Sequence, residues 1–115
     1  VLLMGNLYGD ILSDIGCALV GGISAAPSIS RGDEFAIFEM VHGNAPELVG
    51  KNLANPLPML IPAIYMLRHL GKNEVAERIY RAVCRVLEAG IVTRDLGGSA
   101  TTTEMTGAII AALEG

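Results

Sequence analysis

The chain has 115 residues, enough for one small domain with its own core, and its net charge of −4 carries no basic cluster, which argues against a nucleic-acid partner. Apolar residues make up 51% and charged residues only 17%, where about a quarter charged is usual. That balance fits a well-buried chain, or part of something larger whose apolar surface is covered by what is missing.

Val1-Leu2-Leu3-Met4 reads as a buried strand, and Gly5-Asn6 as the turn after it. From Leu7 to about Val20 the apolar residues Leu7, Ile11, Leu12, Ile15, Ala18 and Leu19 recur at helical spacing, and Gly21-Gly22 stops the helix. Residues 23–33 carry Pro, Ser and Gly and read as loop; Phe35 to Val41 is rich in strand formers. The stretch from His42 to Pro56 is broken by Gly, Asn and Pro, too irregular for one element and long for an idle turn. A helix is expected next, through about His69, with Pro58 suited to its first turn and Pro62 expected to kink it or delay its start. Gly71 ends it, and Asn73 is placed to cap the following helix. The apolar stripe of that helix is Val75, Ala76, Ile79, Val83, Val86 and Leu87, and Gly90 closes it. Thr93 to Gly98 forms a second polar, glycine-bearing loop. Thr101-Thr102-Thr103-Glu104 is a capping box opening a last helix of small apolar residues. Strands alternating with helices give an α/β class, with too few strands for a complete sheet. Val1 is not an initiator Met, so the expectation is a fragment.

Cys17 and Cys84 match no metal or redox spacing and are expected as reduced thiols; the five methionines read as core filler. No apolar run approaches the roughly 20 residues of a membrane span, and no signal peptide opens the chain.

Asp10 and Asp14 are four apart in the first helix, hence on one face and mutually repulsive by about 0.2–0.5 kcal/mol. Two explanations stand: both complement the positive end of the helix dipole, or both serve a hard divalent cation, Mg²⁺ or Mn²⁺, as part of its oxygen shell. The 42–56 segment is either a surface connection or a ligand loop in which Gly43 and Gly50 let backbone approach a bound molecule. In the second case Glu47 can accept a hydrogen bond from a ribose 2′-hydroxyl and repel a 2′-phosphate. His42, taken alone, reads as structural. No G-x-G-x-x-G and no P-loop occurs.

Taken together, Asn6-Leu7-Tyr8-Gly9-Asp10-Ile11-Leu12-Ser13-Asp14, Val20-Gly21-Gly22, Ala26-Pro27-Ser28, Phe38-Glu39-Met40-Val41-His42-Gly43-Asn44-Ala45-Pro46, Ala54-Asn55-Pro56, Met66-Leu67-Arg68-His69-Leu70-Gly71 and Thr93-Arg94-Asp95-Leu96-Gly97-Gly98 resemble the β-decarboxylating dehydrogenases, the isocitrate, isopropylmalate, homoisocitrate and tartrate enzymes. The resemblance covers nearly all of residues 1–115 and the C-terminal third or so of a usual member, part of a two-domain isocitrate/isopropylmalate dehydrogenase-like fold.

The resemblance implies that Asp10 and Asp14 bind Mg²⁺ or Mn²⁺, with a third carboxylate from the neighbouring subunit of a dimer. It implies that His42, Gly43, Asn44, Ala45, Pro46, Glu47, Leu48 and Asn55 hold the adenosine half of NAD. Glu47 implies NAD over NADP, although NAD-type members more often carry Asp-Ile at 47–48, and Gly97-Gly98 offer no basic side chain to a 2′-phosphate. The implied reaction is oxidative decarboxylation of a 2-hydroxy acid, isocitrate to 2-oxoglutarate first, isopropylmalate or homoisocitrate as alternatives. The Tyr and Lys that move protons in the family lie upstream of the matched part; neither Tyr8 nor Lys51 matches them, so the segment alone is expected to be inactive. A non-catalytic regulatory subunit is the alternative of another class, and retention of both aspartates argues against it. The expected setting is a homo-oligomer, cytoplasmic or in the mitochondrial matrix of a eukaryote.

Overall fold

The computed structural model describes residues 1–114. Its elements are α1 (Asn6–Leu19), β1 (Pro27–Arg31), β2 (Ala36–Met40), α2 (Leu57–His69), α3 (Asn73–Glu88) and α4 (Thr102–Glu114), with short 3₁₀ turns at Ile23–Ala25, Pro46–Leu48 and Arg94–Leu96. Helices and strands are mixed, as the alternation predicts, and the two strands pair antiparallel in a hairpin.

The core lies where α2, α3 and α4 meet. Leu57 of α2, Ala82, Val83 and Val86 of α3, and Met105 and Ile109 of α4 pack into one buried cluster. Burying such side chains contributes roughly 1.5–3 kcal/mol each for the larger ones. The buried face of α3 is Ala76, Ala82, Val83 and Val86. Val75 and Leu87 of the expected stripe stay exposed, because the contact is narrower than the apolar arc. Arg78 and Arg85 donate hydrogen bonds to the carbonyls of Leu113 and Ala112, at 3.4 and 3.3 Å. They satisfy C-terminal carbonyls of α4 that have no partner within the helix.

Several expectations change. Val1–Met4 forms no strand, because no other segment among the described residues offers it a ladder, and Asn6 is the first helical residue rather than a turn. The periodicity of α1 is as expected, yet none of its residues is buried; Leu7, Ile11 and Ile15 remain exposed. Residues 27–31, read as loop, are β1, paired with β2 in the register Pro27 with Met40 through Arg31 with Ala36. Pro62 neither delays nor interrupts α2, which starts at Leu57 with Pro58 in its first turn; both prolines are buried. Asn73 is the first residue of α3, and Lys72 occupies the cap position without a side-chain cap bond. Of the methionines only Met105 is fully buried, while Met59 and Met66 are exposed. Cys17 and Cys84 are free thiols. Among the described residues no helix is long and apolar enough to cross a membrane.

Candidate functional site

A cavity of about 1050 Å³ lies where the 42–55 segment meets the 93–98 loop, and Pro58 of α2 and Thr102 of α4 also line it. The turn chemistry of the segment shapes its wall. Ala45 takes a left-handed conformation (φ 38°) immediately before the Pro46–Leu48 turn, and Asn52 another (φ 56°). Asn tolerates that region better than most residues because its short amide bonds locally.

Asn52 uses the conformation to reach α4. Its carbonyl accepts the Thr102 N–H at 3.0 Å, and its Oδ1 accepts the Thr103 N–H at 3.1 Å and the Thr103 hydroxyl at 2.8 Å. Thr102 Oγ1 donates to the Ala54 carbonyl at 2.6 Å. The capping box forms as predicted: the Thr101 N–H and hydroxyl donate to Glu104 Oε2, both at 2.8 Å, and the Glu104 N–H donates back to Thr101 Oγ1. The bond from the Thr101 N–H, then that from its hydroxyl, hold the Glu104 carboxyl below the usual glutamate range. The first N–H groups of α4 are therefore all used within the protein. This helix start is a bolt for the cavity wall, with no free donors for a phosphate.

The opposite wall is fixed by Asp95. Its Oδ1 accepts the hydroxyl of Thr93, a residue with 0% exposure, at 2.6 Å, and its Oδ2 accepts Asn55 Nδ2 at 2.9 Å. The same Asn55 amide accepts the Leu57 N–H through Oδ1, at 2.9 Å. Burial alone would push the Asp95 carboxyl up, but hydrogen bonds from Thr93, Asn55, its own backbone N–H and the Ser24 hydroxyl together hold it below the usual aspartate range. His42 Nδ1 lies 2.7 Å from the Gly43 carbonyl. A carbonyl only accepts, so Nδ1 is the donor in this bond.

Of the residues expected at a dinucleotide, His42, Gly43, Asn44, Ala45, Leu48 and Asn55 line this cavity together. Pro46 and Glu47 belong to the same turn but lie outside the lining. Ser24, Asn52, Arg94, Asp95 and Thr102 join the lining without having been singled out as binding residues. Gly97 and Gly98 bring no basic side chain to the lining, but Arg94 of the same loop does. Gly98 has a packing reason of its own, since a Cβ there would overlap the Val92 carbonyl oxygen, and Gly97 turns at φ 85°.

Asp10 and Asp14 lie on exposed α1, away from this lining. No hydrogen bond or ion pair engages either carboxylate among the described residues. Nor does a third His, Cys, Asp or Glu join them into a cluster among those residues. Two acceptor-only oxygen donors of this kind suit a hard divalent cation and fill part of its shell.

The family model described as isocitrate/isopropylmalate dehydrogenase matches residues 1–109. The isocitrate/homoisocitrate dehydrogenase of Thermus thermophilus is 50% identical over 114 residues, 99% of this chain and 34% of its own length. The mitochondrial NAD isocitrate dehydrogenase catalytic subunit 5 of Arabidopsis thaliana is 52% identical over 111 residues, 95% of this chain and 30% of that one. The crystal structure of isocitrate dehydrogenase from Methylococcus capsulatus superimposes with a TM-score of 0.87 at 41% identity, covering 96% of this chain and 33% of that one. The chain thus spans about a third of the length of these relatives. Sequence motifs and backbone agree along the same stretch, and the chain belongs to the isocitrate/isopropylmalate dehydrogenase family.

Proposed function

We propose that this chain supplies the dinucleotide cleft and two metal carboxylates of an NAD-dependent β-decarboxylating dehydrogenase acting on a small 2-hydroxy acid. Isocitrate is the first candidate substrate, homoisocitrate and isopropylmalate the next. The observation that carries this reading is the cleft itself, walled by the 42–55 and 93–98 segments that hold the family's motifs.

Leu48, Val49, Leu53 and Pro58 give the cleft an apolar surface suited to a purine face, and Asn55 gives it a fixed polar group. Arg94 supplies its one guanidinium, a partner for a dinucleotide phosphate. Glu47, exposed on the adjoining turn, disfavours a second phosphate on the ribose, which supports NAD over NADP. Asp10 and Asp14 would hold Mg²⁺ or Mn²⁺ and leave positions for substrate, water and a carboxylate from the neighbouring subunit. A cation held there would supply Lewis acidity toward a substrate oxygen, and a dinucleotide in the cleft would supply a hydride acceptor. Tyr8 and Lys51, both exposed, are given no part in proton transfer. A eukaryotic source would place the enzyme in the mitochondrial matrix, any other in the cytoplasm.

The test uses the protein at its native length, purified from its source and assayed with each of the three acids, NAD and Mn²⁺. The expected result is NAD reduction that needs Mn²⁺, is fastest with isocitrate and is lost on Asp10→Asn. Absence of NAD reduction with all three acids would overturn the reading. Activity unchanged by Asp10→Asn would remove the metal assignment alone.

A further inference from the structure

The amide of Asn55 is held at both ends by groups on different segments: Nδ2 donates to Asp95 Oδ2 at 2.9 Å, and Oδ1 accepts the Leu57 N–H at 2.9 Å. An isolated Asn can turn its amide over and exchange donor for acceptor; this one cannot, because turning would set its NH₂ against the Leu57 N–H and its oxygen against a carboxylate. Asp95 is itself fixed by the hydroxyl of Thr93, which is fully buried. The relay therefore runs from a rigid buried group, through a carboxylate, to an amide in the cavity lining, across 40 positions of sequence.

We propose that Asp95 is a positioning residue that sets the hydrogen-bonding polarity of Asn55, and thereby the purine preference of the cleft. The inference rests on the reading of this cavity as a dinucleotide cleft. One Nδ2–H of Asn55 is spent on Asp95, and the second has no partner among the described residues. That free donor matches a ring-nitrogen acceptor such as adenine N1. Hypoxanthine carries N–H at the same ring position, so two donors would meet. A carboxylate suits the positioning role because it can only accept, and so accepts from Thr93 and Asn55 together.

The test is calorimetric titration of the native-length protein with NAD and with nicotinamide hypoxanthine dinucleotide. Asp95→Ala, Asp95→Asn, Asn55→Ala and the double variant Asn55→Ala/Asp95→Ala are compared with the unaltered protein. Asp95→Ala is expected to weaken NAD binding about tenfold and to narrow the preference for NAD over the hypoxanthine analogue. Asp95→Asn, whose amide oxygen still accepts, should retain most of that preference and also controls for folding. In the Asn55→Ala background, Asp95→Ala should cost nothing further, since the group it positions is gone. An equal loss with and without Asn55, or an equal loss for both dinucleotides, would overturn the inference and leave Asp95 as a loop anchor. If the unaltered protein binds neither dinucleotide, the cleft reading itself fails, and this inference with it.

Discussion

Asn52 and Thr103, 51 positions apart, are joined by two hydrogen bonds to one oxygen: Asn52 Oδ1 accepts both the backbone N–H and the hydroxyl of Thr103. This ties the loop that walls the cavity to the start of a helix that carries part of the core. Removal of the side chain therefore acts on loop and helix at once. Asn52→Ala should destabilise the protein by about 1–2 kcal/mol, as loss of a helix cap does, and it adds the cost of Ala in a left-handed conformation. Asn52→Gly removes the same bonds without that strain. Urea unfolding should place Gly between Asn and Ala; equal midpoints for Gly and Ala would show that the backbone conformation carries no cost.

Gly97 and Gly98 separate two reasons for glycine. Gly97 needs a positive φ, so Gly97→Ala should cost about 1 kcal/mol and leave the loop in place. Gly98 needs space, since a Cβ would overlap the Val92 carbonyl, whose oxygen also accepts the Ala100 N–H at 3.0 Å. Gly98→Ala must move the backbone that leads into α4, at a cost of several kcal/mol. Thermal unfolding of the two variants should give clearly different losses, Gly98→Ala the larger.

Legibility in the sequence followed the range of the interaction. The Thr101–Glu104 capping box is visible because its partners are three residues apart, and the helical periods of α1 and α3 are visible for the same reason. The bonds Asn55–Asp95 and Asn52–Thr103 span 40 and 51 residues, and no local pattern announces them. β1 was missed because Pro27-Ser-Ile-Ser-Arg is a strand only through its pairing with β2. Val1–Met4 failed in the opposite way: four apolar residues fit a strand locally, and no ladder receives them. Arg94 and Asp95 stood in plain sight within a motif, yet their place in the cavity wall depends on how two loops fold against each other.

The Asp95 carboxyl gives the pH dependence a sign. Its pKa lies below the ordinary aspartate value of 3.8, so the ionised form is favoured in the folded state. The stabilisation is complete above the ordinary value and is lost as pH falls through the lower, folded-state value. Unfolding midpoints measured from pH 5 to pH 2.5 should therefore drop more steeply for the unaltered protein than for Asp95→Asn. Parallel curves would mean that ionised Asp95 contributes nothing to the acid limb.

Asp10 and Asp14 allow a test in which the sign of the effect depends on the cation. Both carboxylates are exposed and one turn apart on α1, so without metal they repel. Asp14→Asn removes that repulsion and should stabilise the helix by about 0.2–0.5 kcal/mol in metal-free buffer. With Mn²⁺ present, the same substitution removes a ligand and should lower stability relative to the unaltered protein, because bound metal stabilises only the form that holds it. Thermal unfolding of the native-length protein in EDTA and in millimolar Mn²⁺ reads both effects, and the cation should reverse the order of the two proteins. If Asp14→Asn stabilises equally in both buffers, the pair belongs to the helix alone and the two carboxylates hold no metal.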